Sequence, residues 1–211
     1  MNRPLVLGLT GSIGMGKSTT AGFFRDRGIP VWDADEAVRR VYAAGGAAVG
    51  PVGAEFPGAI LAGAVDRGAL RREVTARPDG LDRLERIVHP LVAADRAAFL
   101  AAAAAGGAPL VVLDVPLLFE TGLDAEVDAT VVVSAPPEIQ RARVMARPGM
   151  TEDLFRIVLS RQTPDAEKRR RATWVVETPD LDTARAGVER ILTEAREWHV
   201  RDRPRHRDNG A

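Results

Sequence analysis

The stretch GLTGSIGMGKSTT, Gly8 to Thr20, sets four glycines between an apolar run and an amphipathic one. Gly11, Gly16, Lys17 and Ser18 fit the spacing G-x-x-x-x-G-K-[ST]. A chain with this spacing must end a buried strand, turn its backbone N–H groups inward, and start a helix within a few residues. The inward N–H groups form a nest for phosphate oxygens, and the helix adds the positive end of its dipole. Lysine supplies a compact, mobile cation at that point. Only two of the 29 basic side chains are lysines, and Lys17 is one of them. Arginine's rigid fork does not reproduce that ammonium at a phosphate. The Ser18 hydroxyl can hold Mg²⁺. A chance match in a chain of this composition has odds of roughly one in a thousand, so the motif governs how the rest is read.

The flanking pattern supplies the frame the motif needs. Leu5–Leu9 reads as a short buried strand and Ser18–Arg27 as a helix. IPVWDAD is a second strand with carboxylates at its exit, followed by a helix over Glu36–Ala44. AGGAAVGPVGAEFPGA predicts loop or turns. Arg67–Ala76 predicts a helix, and Asp79–Ala105 a long one interrupted at His89-Pro90 and ended by Gly106 and Gly107. Further strands are predicted over Pro109–Asp114, Asp128–Ser134 and Thr173–Thr178. Helices are predicted over Pro137–Arg147, Glu152–Gln162 and from Leu181 to about His199. Short apolar strands alternating with helices call for an α/β fold, a parallel sheet covered on both faces. Sites in such sheets form at the carboxyl ends of strands, where Thr10, Asp33 and Asp114 stand.

Composition excludes several classes. The net charge of zero gives no global attraction for nucleic acid or an anionic membrane. Without cysteine there is no disulfide, thiolate catalysis or cysteine-ligated zinc. His89, His199 and His206 have no metal-ligand spacing. No apolar run reaches the roughly 18 residues of a membrane span. The expectation is a cytoplasmic protein, monomeric or a weak homo-oligomer, with no nucleic-acid or membrane partner. Trp32 and Trp174 lie on strands and are expected in the core. The tail RDRPRHRDNGA, residues 201–211, has no apolar face and is expected to be disordered.

A phosphate loop names a nucleoside triphosphate but not a reaction. A GTPase wants N-K-x-D, which neither Lys17 nor Lys168 offers. Large ATPases want a longer core. A small-molecule kinase remains, with a nucleoside monophosphate kinase or a non-catalytic nucleotide-binding regulator as alternatives. The chain resembles the dephospho-coenzyme A kinase family in GLTGSIGMGKST (Gly8–Thr19), DAD (Asp33–Asp35), ALRREV (Ala69–Val74), HPL (His89–Leu91), DVPLLFE (Asp114–Glu120) and RQTPDAEKRRRA (Arg161–Ala172). It departs from the family pattern at Ser12, Met15, Pro148 and Val176–Thr178.

The resemblance implies a P-loop kinase fold with a five-stranded parallel sheet flanked by helices. It implies one kinase domain over 1–200: core 1–35, 107–136 and 172–200, acceptor-binding helical region 36–106, lid 137–171. It implies transfer of the γ-phosphoryl of ATP, with Mg²⁺, to the ribose 3′-hydroxyl of dephospho-coenzyme A, the last step of coenzyme A synthesis. ATP would meet Gly11, Ser12, Ile13, Gly14, Met15, Gly16, Lys17, Ser18 and Thr19, and Arg143 and Arg147 of the lid. The acceptor would meet Asp33, Arg71, Arg72, His89, Leu117 and Glu120. Lys17, Asp33 and Arg143 would be catalytic, and Ser18 and Asp114 would face the metal, Asp114 through water.

Bland readings stand beside these. Asp33 or Asp35 can cap the helix that follows, and Asp35 is the expected cap with Asp33 the expected base. Asp114 either serves Mg²⁺ or ties the P-loop in place. Glu120 is an ion-pair or acceptor residue rather than a base. Arg143 and Arg147 share a helix face at i and i+4, against an ordinary solvated face. One of Arg71 and Arg72 grips the acceptor's pyrophosphate and the other faces solvent. Glu167–Arg171 is expected to be mostly solvated helix.

Overall fold

A computed structural model describes residues 3–201, with side chains described through residue 197. The expectation for the tail beyond residue 201, and the side chains of Trp198, His199 and His206, lie outside the described residues. The chain divides into two compact units, one formed by Met1–Val31 and Gly107–Ala211, the other by Trp32–Gly106.

In the first unit the strands are β1 (Leu5–Thr10), β5 (Leu110–Asp114), β6 (Ala129–Ser134) and β7 (Trp174–Glu177); β2 (Val31–Asp33) carries the chain into the second unit. The sheet order is β2-β5-β1-β6-β7. β1 runs parallel to β5 and β6, and β6 parallel to β7. At the other edge the Val112 N–H donates to the Pro30 carbonyl (2.9 Å). Every residue of β1, β5 and β6 is buried, which is why these strands read as continuous apolar runs rather than alternating ones. Phe23 and Phe24 of α1 (Lys17–Asp26) and Val188 and Ile191 of α9 (Leu181–Arg201) pack on Leu7, Leu9, Val131 and Val133. From β1 the chain first moves to one side, through β2 and β5, and later to the other, through β6 and β7. The carboxyl end of β1 is where these connections part, the place where open sheets receive ligands. The remaining helices of this unit are α6 (Pro137–Met145), α7 (Glu152–Ser160) and α8 (Asp165–Arg171).

The second unit is helical, with α2 (Ala34–Tyr42), α3 (Val49–Glu55), α4 (Arg67–Thr75) and α5 (Gly80–Ala105) around Val41, Val52, Phe56, Leu70 and Val88. Two sequence expectations fail here. The glycine- and proline-rich segment is not all loop: α3 forms with Pro51 in its first turn, where the missing N–H costs nothing. Full burial of Val52 and Phe56 overrides the weak local propensity. A hairpin of β3 (Ile60–Leu61) and β4 (Ala64–Val65) follows, its turn made by Ala62 (φ 49°) and Gly63 (φ 76°), the positive pair a two-residue hairpin requires. The long helix is not broken at His89-Pro90 either, since α5 is continuous with Pro90 inside it. Pro90 is exposed, so water can serve the helix carbonyl it leaves without a donor. By length and composition α5 is also apolar enough to cross a membrane. Within it, however, Asp95 binds the buried Trp32 indole N–H (2.7 Å) and the Arg40 guanidinium (2.6 and 3.0 Å).

Candidate active site

The P-loop leaves β1 at Thr10, whose hydroxyl donates to the Pro116 carbonyl (3.1 Å) and so ties the exits of β1 and β5 together. Gly14 and Gly16 take φ of 80° and 87°, the left-handed turns that direct successive N–H groups inward. Gly16 is the N-cap of α1, and no side chain caps that helix. Asp33 caps α2, Asp66 caps α4 and Thr151 caps α7, while α3, α5, α6 and α8 also lack a side-chain cap. The first turn of α1 therefore keeps its N–H groups and dipole end available for an anion. Ser18 and Thr19, in that turn, are exposed; Ser12 and Met15 are buried beneath the loop. The Met15 carbonyl accepts from the Thr178 hydroxyl (2.6 Å), and Met15 sulfur accepts from the Ala135 N–H (3.1 Å). Thr178, within the stretch that departs from the family pattern, thus buttresses the loop.

Lys17 makes an ion pair with Asp114 at the end of β5. Asp114 pairs in register with Leu9, so parallel pairing places the carboxylate beside the end of β1. It is 1 % exposed, and the ammonium compensates a charge that would be costly alone. Of its two readings, the structure shows Asp114 tying the P-loop lysine in place. Ser18 and Asp114 are both hard oxygen donors, the chemistry Mg²⁺ selects. No cluster of three or more His, Cys, Asp or Glu that could hold a metal occurs among the described residues, so most ligands at such a site would be water and phosphate.

Arg143, the expected triphosphate contact of the lid, donates its guanidinium to the carbonyls of Thr178 (2.6 Å) and Pro179 (3.2 Å), just past β7. α6 ends at Met145, so Arg147 lies past the helix in an exposed bend and does not share the predicted i, i+4 helix face with Arg143. Arg141, on another side of α6, is paired with Glu152 of α7 (2.9 and 3.0 Å).

Leu117, in the segment after β5, is 40 % exposed. The Glu120 carboxylate accepts from the Thr163 N–H (2.8 Å) and makes an ion pair with Lys168 (2.9 Å). Burial pushes the Glu120 carboxyl up, but Lys168 and the Thr163 N–H pull it further down, below the usual carboxylate range. Lys168 is the fully buried exception in the otherwise mostly solvated stretch Glu167–Arg171. The clue was the residue type, a lysine among arginines. Gln140 and Gln162 were also missed, and both bond to the P-loop; the turn before Thr163-Pro164 was the available clue for Gln162.

In the second unit Asp33, not Asp35, is the N-cap of α2: its Oδ1 accepts from the Glu36 N–H (2.9 Å). Asp35 lies inside the first turn. A cavity of about 490 Å³ opens between α4 and α5, with Tyr42, Leu70, Val74 and Leu84 on its wall beside Arg67 and Arg71. Burial pushes the Tyr42 hydroxyl up, against the opposing pull of Arg67. Arg72 is exposed and does not line the cavity, and His89 is exposed in mid-helix.

The model of the dephospho-CoA kinase family matches residues 5–182, from β1 through the exit of β7. The chain belongs to the dephospho-CoA kinase family. A dephospho-CoA kinase of Cereibacter sphaeroides is 59 % identical over 195 residues, covering 92 % of this chain and 98 % of that protein. One of Rhizobium meliloti is 52 % identical over 193 residues, covering 91 % and 98 %. A crystal structure from Thermus thermophilus is 39 % identical with a TM-score of 0.76, covering 92 % and 98 %. The structure of a dephospho-CoA kinase from Campylobacter jejuni superposes at a TM-score of 0.68 with 20 % identity, covering 91 % and 97 %, and bears on the fold. Membership makes the chain an ATP-using kinase of the P-loop type and sets aside the nucleotide-binding regulator.

Proposed function

We propose that the protein transfers the γ-phosphoryl of ATP to the ribose 3′-hydroxyl of dephospho-coenzyme A, the final step of coenzyme A synthesis, in the cytoplasm and as a monomer or weak homo-oligomer. One observation carries this reading: in a dephospho-CoA kinase family member, α1 is left uncapped behind a P-loop whose lysine rests on a buried carboxylate. The N–H groups of the loop and of the first turn of α1 hold the phosphates. Lys17 leaves Asp114 for the phosphate oxygens, and Asp114 becomes available as a hard acceptor. Ser18 and Asp114 would hold Mg²⁺, which supplies charge neutralisation on the transferring group.

Phosphoryl transfer needs positioning and charge compensation more than covalent chemistry. Asp33 accepts the proton of the acceptor hydroxyl; its Oδ1 holds the cap of α2 and so fixes the orientation of the carboxylate. Arg143 supports the wall of the nucleotide site at Thr178 and Pro179, and Arg147 is the lid cation that reaches the triphosphate. The cavity between α4 and α5 takes the apolar arm of the acceptor, with Arg71 and Arg67 at its pyrophosphate. Leu117 adds apolar contact to the acceptor.

The test is an acceptor panel with Mg²⁺ and ATP. Dephospho-coenzyme A should be phosphorylated at the 3′ position, and AMP, CMP and pantetheine phosphate should be poor acceptors. Arg71→Ala should raise the KM for dephospho-coenzyme A by about ten-fold or more and leave that for ATP unchanged, as loss of a charged hydrogen bond does. Faster turnover of AMP or CMP than of dephospho-coenzyme A would replace this reading with a nucleoside monophosphate kinase.

A further inference from the structure

One residue of the P-loop is gripped from two directions. The Ile13 N–H donates to the side-chain carbonyl of Gln162 (3.1 Å), and the Ile13 carbonyl accepts from the side-chain amide of Gln140 (2.8 Å). Gln140 is buried on α6. Gln162 stands in the turn between α7 and α8, before a Thr-Pro pair that disfavours helix. The two ends of the α6–α7 segment therefore reach the same loop residue.

Each anchor is itself held. α6 lies directly on the loop, since a Cβ on Gly14 would come within 2.5 Å of a Val144 methyl and 3.0 Å of the Gln140 carbonyl. Beside Gln162, the Thr163 N–H is bound by Glu120 (2.8 Å), Glu120 pairs with Lys168 (2.9 Å), and Asp165 accepts from the Ser134 hydroxyl (2.7 Å).

The consequence lies in peptide geometry. The Ile13 N–H belongs to the peptide unit before it, and its carbonyl to the unit after it. Fixing both fixes two consecutive planes. A trans peptide points its N–H opposite to its carbonyl, so the hold of Gln140 on Ile13 directs the Gly14 N–H the other way. In an empty nest the converging N–H dipoles repel one another, and peptide flips would relieve that.

We propose that Gln140 and Gln162 are positioning residues that preset the phosphate-binding loop, so that the seating of the α6–α7 segment sets part of the affinity for nucleotide. This rests on the kinase reading of the loop and deepens it.

The test measures binding rather than turnover. Mg²⁺-ADP and dephospho-coenzyme A are titrated calorimetrically into the unsubstituted protein, Gln140→Met, Gln162→Met and the double variant, with thermal midpoints in parallel. Each single variant should weaken ADP binding by about five-fold, the scale of one neutral hydrogen bond. The double variant should be little weaker than the poorer single, because both act through Ile13. Dephospho-coenzyme A binding should not move. Should Gln140→Met fail to fold, Gln162→Met and Gln162→Asn, whose arm is one carbon short of the Ile13 N–H, carry the test alone. ADP affinity within two-fold of the unsubstituted protein in the folded Gln162 variants overturns the proposal. So do strictly additive effects in the double variant, or an equal loss for both ligands. Absence of ADP binding to the unsubstituted protein would instead remove the kinase reading itself.

Discussion

Lys168→Met removes the buried cation beside Glu120 and leaves its carboxylate in place. Lys168 is fully buried and the Glu120 side chain 16 % exposed, so the remaining charge is mostly shielded from water. Breaking a buried pair from one side costs about 3–5 kcal/mol; the partial exposure of Glu120 and its surviving Thr163 N–H bond place this case near 3. For a chain of this size that lowers the thermal midpoint by roughly 6–12 °C. The sign against pH is also fixed. In the native protein Glu120 titrates below its unfolded value, so its contribution is present above about pH 4.3 and is lost as the pH falls through the folded value. In Lys168→Met burial dominates and the carboxyl moves up, so the penalty is largest at neutral pH and shrinks as acid protonates Glu120. Scanning fluorimetry of both proteins between pH 7.5 and about 4.5 would show the midpoints converging. Adding Glu120→Gln to Lys168→Met should recover most of the loss, because a neutral amide still accepts from Thr163. A Lys168→Met midpoint within about 2 °C of the parent, or a gap that widens in acid, would refute the reasoning.

Lys17→Ala should lose turnover by several orders of magnitude, and Lys17→Arg should be badly impaired; near-normal rates in the arginine variant would contradict the phosphate role of that ammonium. Asp33→Asn keeps the capping oxygen, so stability should hold while kcat falls by roughly 10²–10⁴; retained turnover would make Asp33 a cap only. Arg143→Ala should lower stability by about 1–3 kcal/mol through two deserted carbonyls, while Arg141→Ala, which breaks an exposed pair, should cost under about 1. Equal unfolding midpoints for the two arginine variants in urea would count against the Thr178–Pro179 anchor.

The strand–loop–helix frame was legible because glycine spacing and apolar runs are local signals. β1, β5 and β6 are buried on both faces, and their sequences say so without reference to the rest of the chain. Features decided by distant burial were not legible. α3 exists because Val52 and Phe56 are engulfed, which no window of glycine and proline reveals. Asp33 and Asp35 both suit a cap, and the choice fell where β2 hands over to α2. Arg143 obeyed the predicted helix, yet its destination depended on the carbonyls after β7. Gln140 and Gln162 act through backbone groups of the loop, and neutral amides leave no charge pattern to read.

The scarcity of lysine has a practical consequence for labelling chemistry. The sequence contains two side-chain amines, and the structure sequesters Lys168 completely. The Lys17 side chain is 16 % exposed and stands in the P-loop, at the proposed phosphate site. An acyl phosphate built on adenine nucleotide would therefore meet a single reachable side-chain amine in the folded first unit. Acylation there would report occupancy of the loop directly, and competing ADP would protect it. A reagent that ordinarily scatters over many surface lysines becomes, for this chain, confined to one side-chain nitrogen.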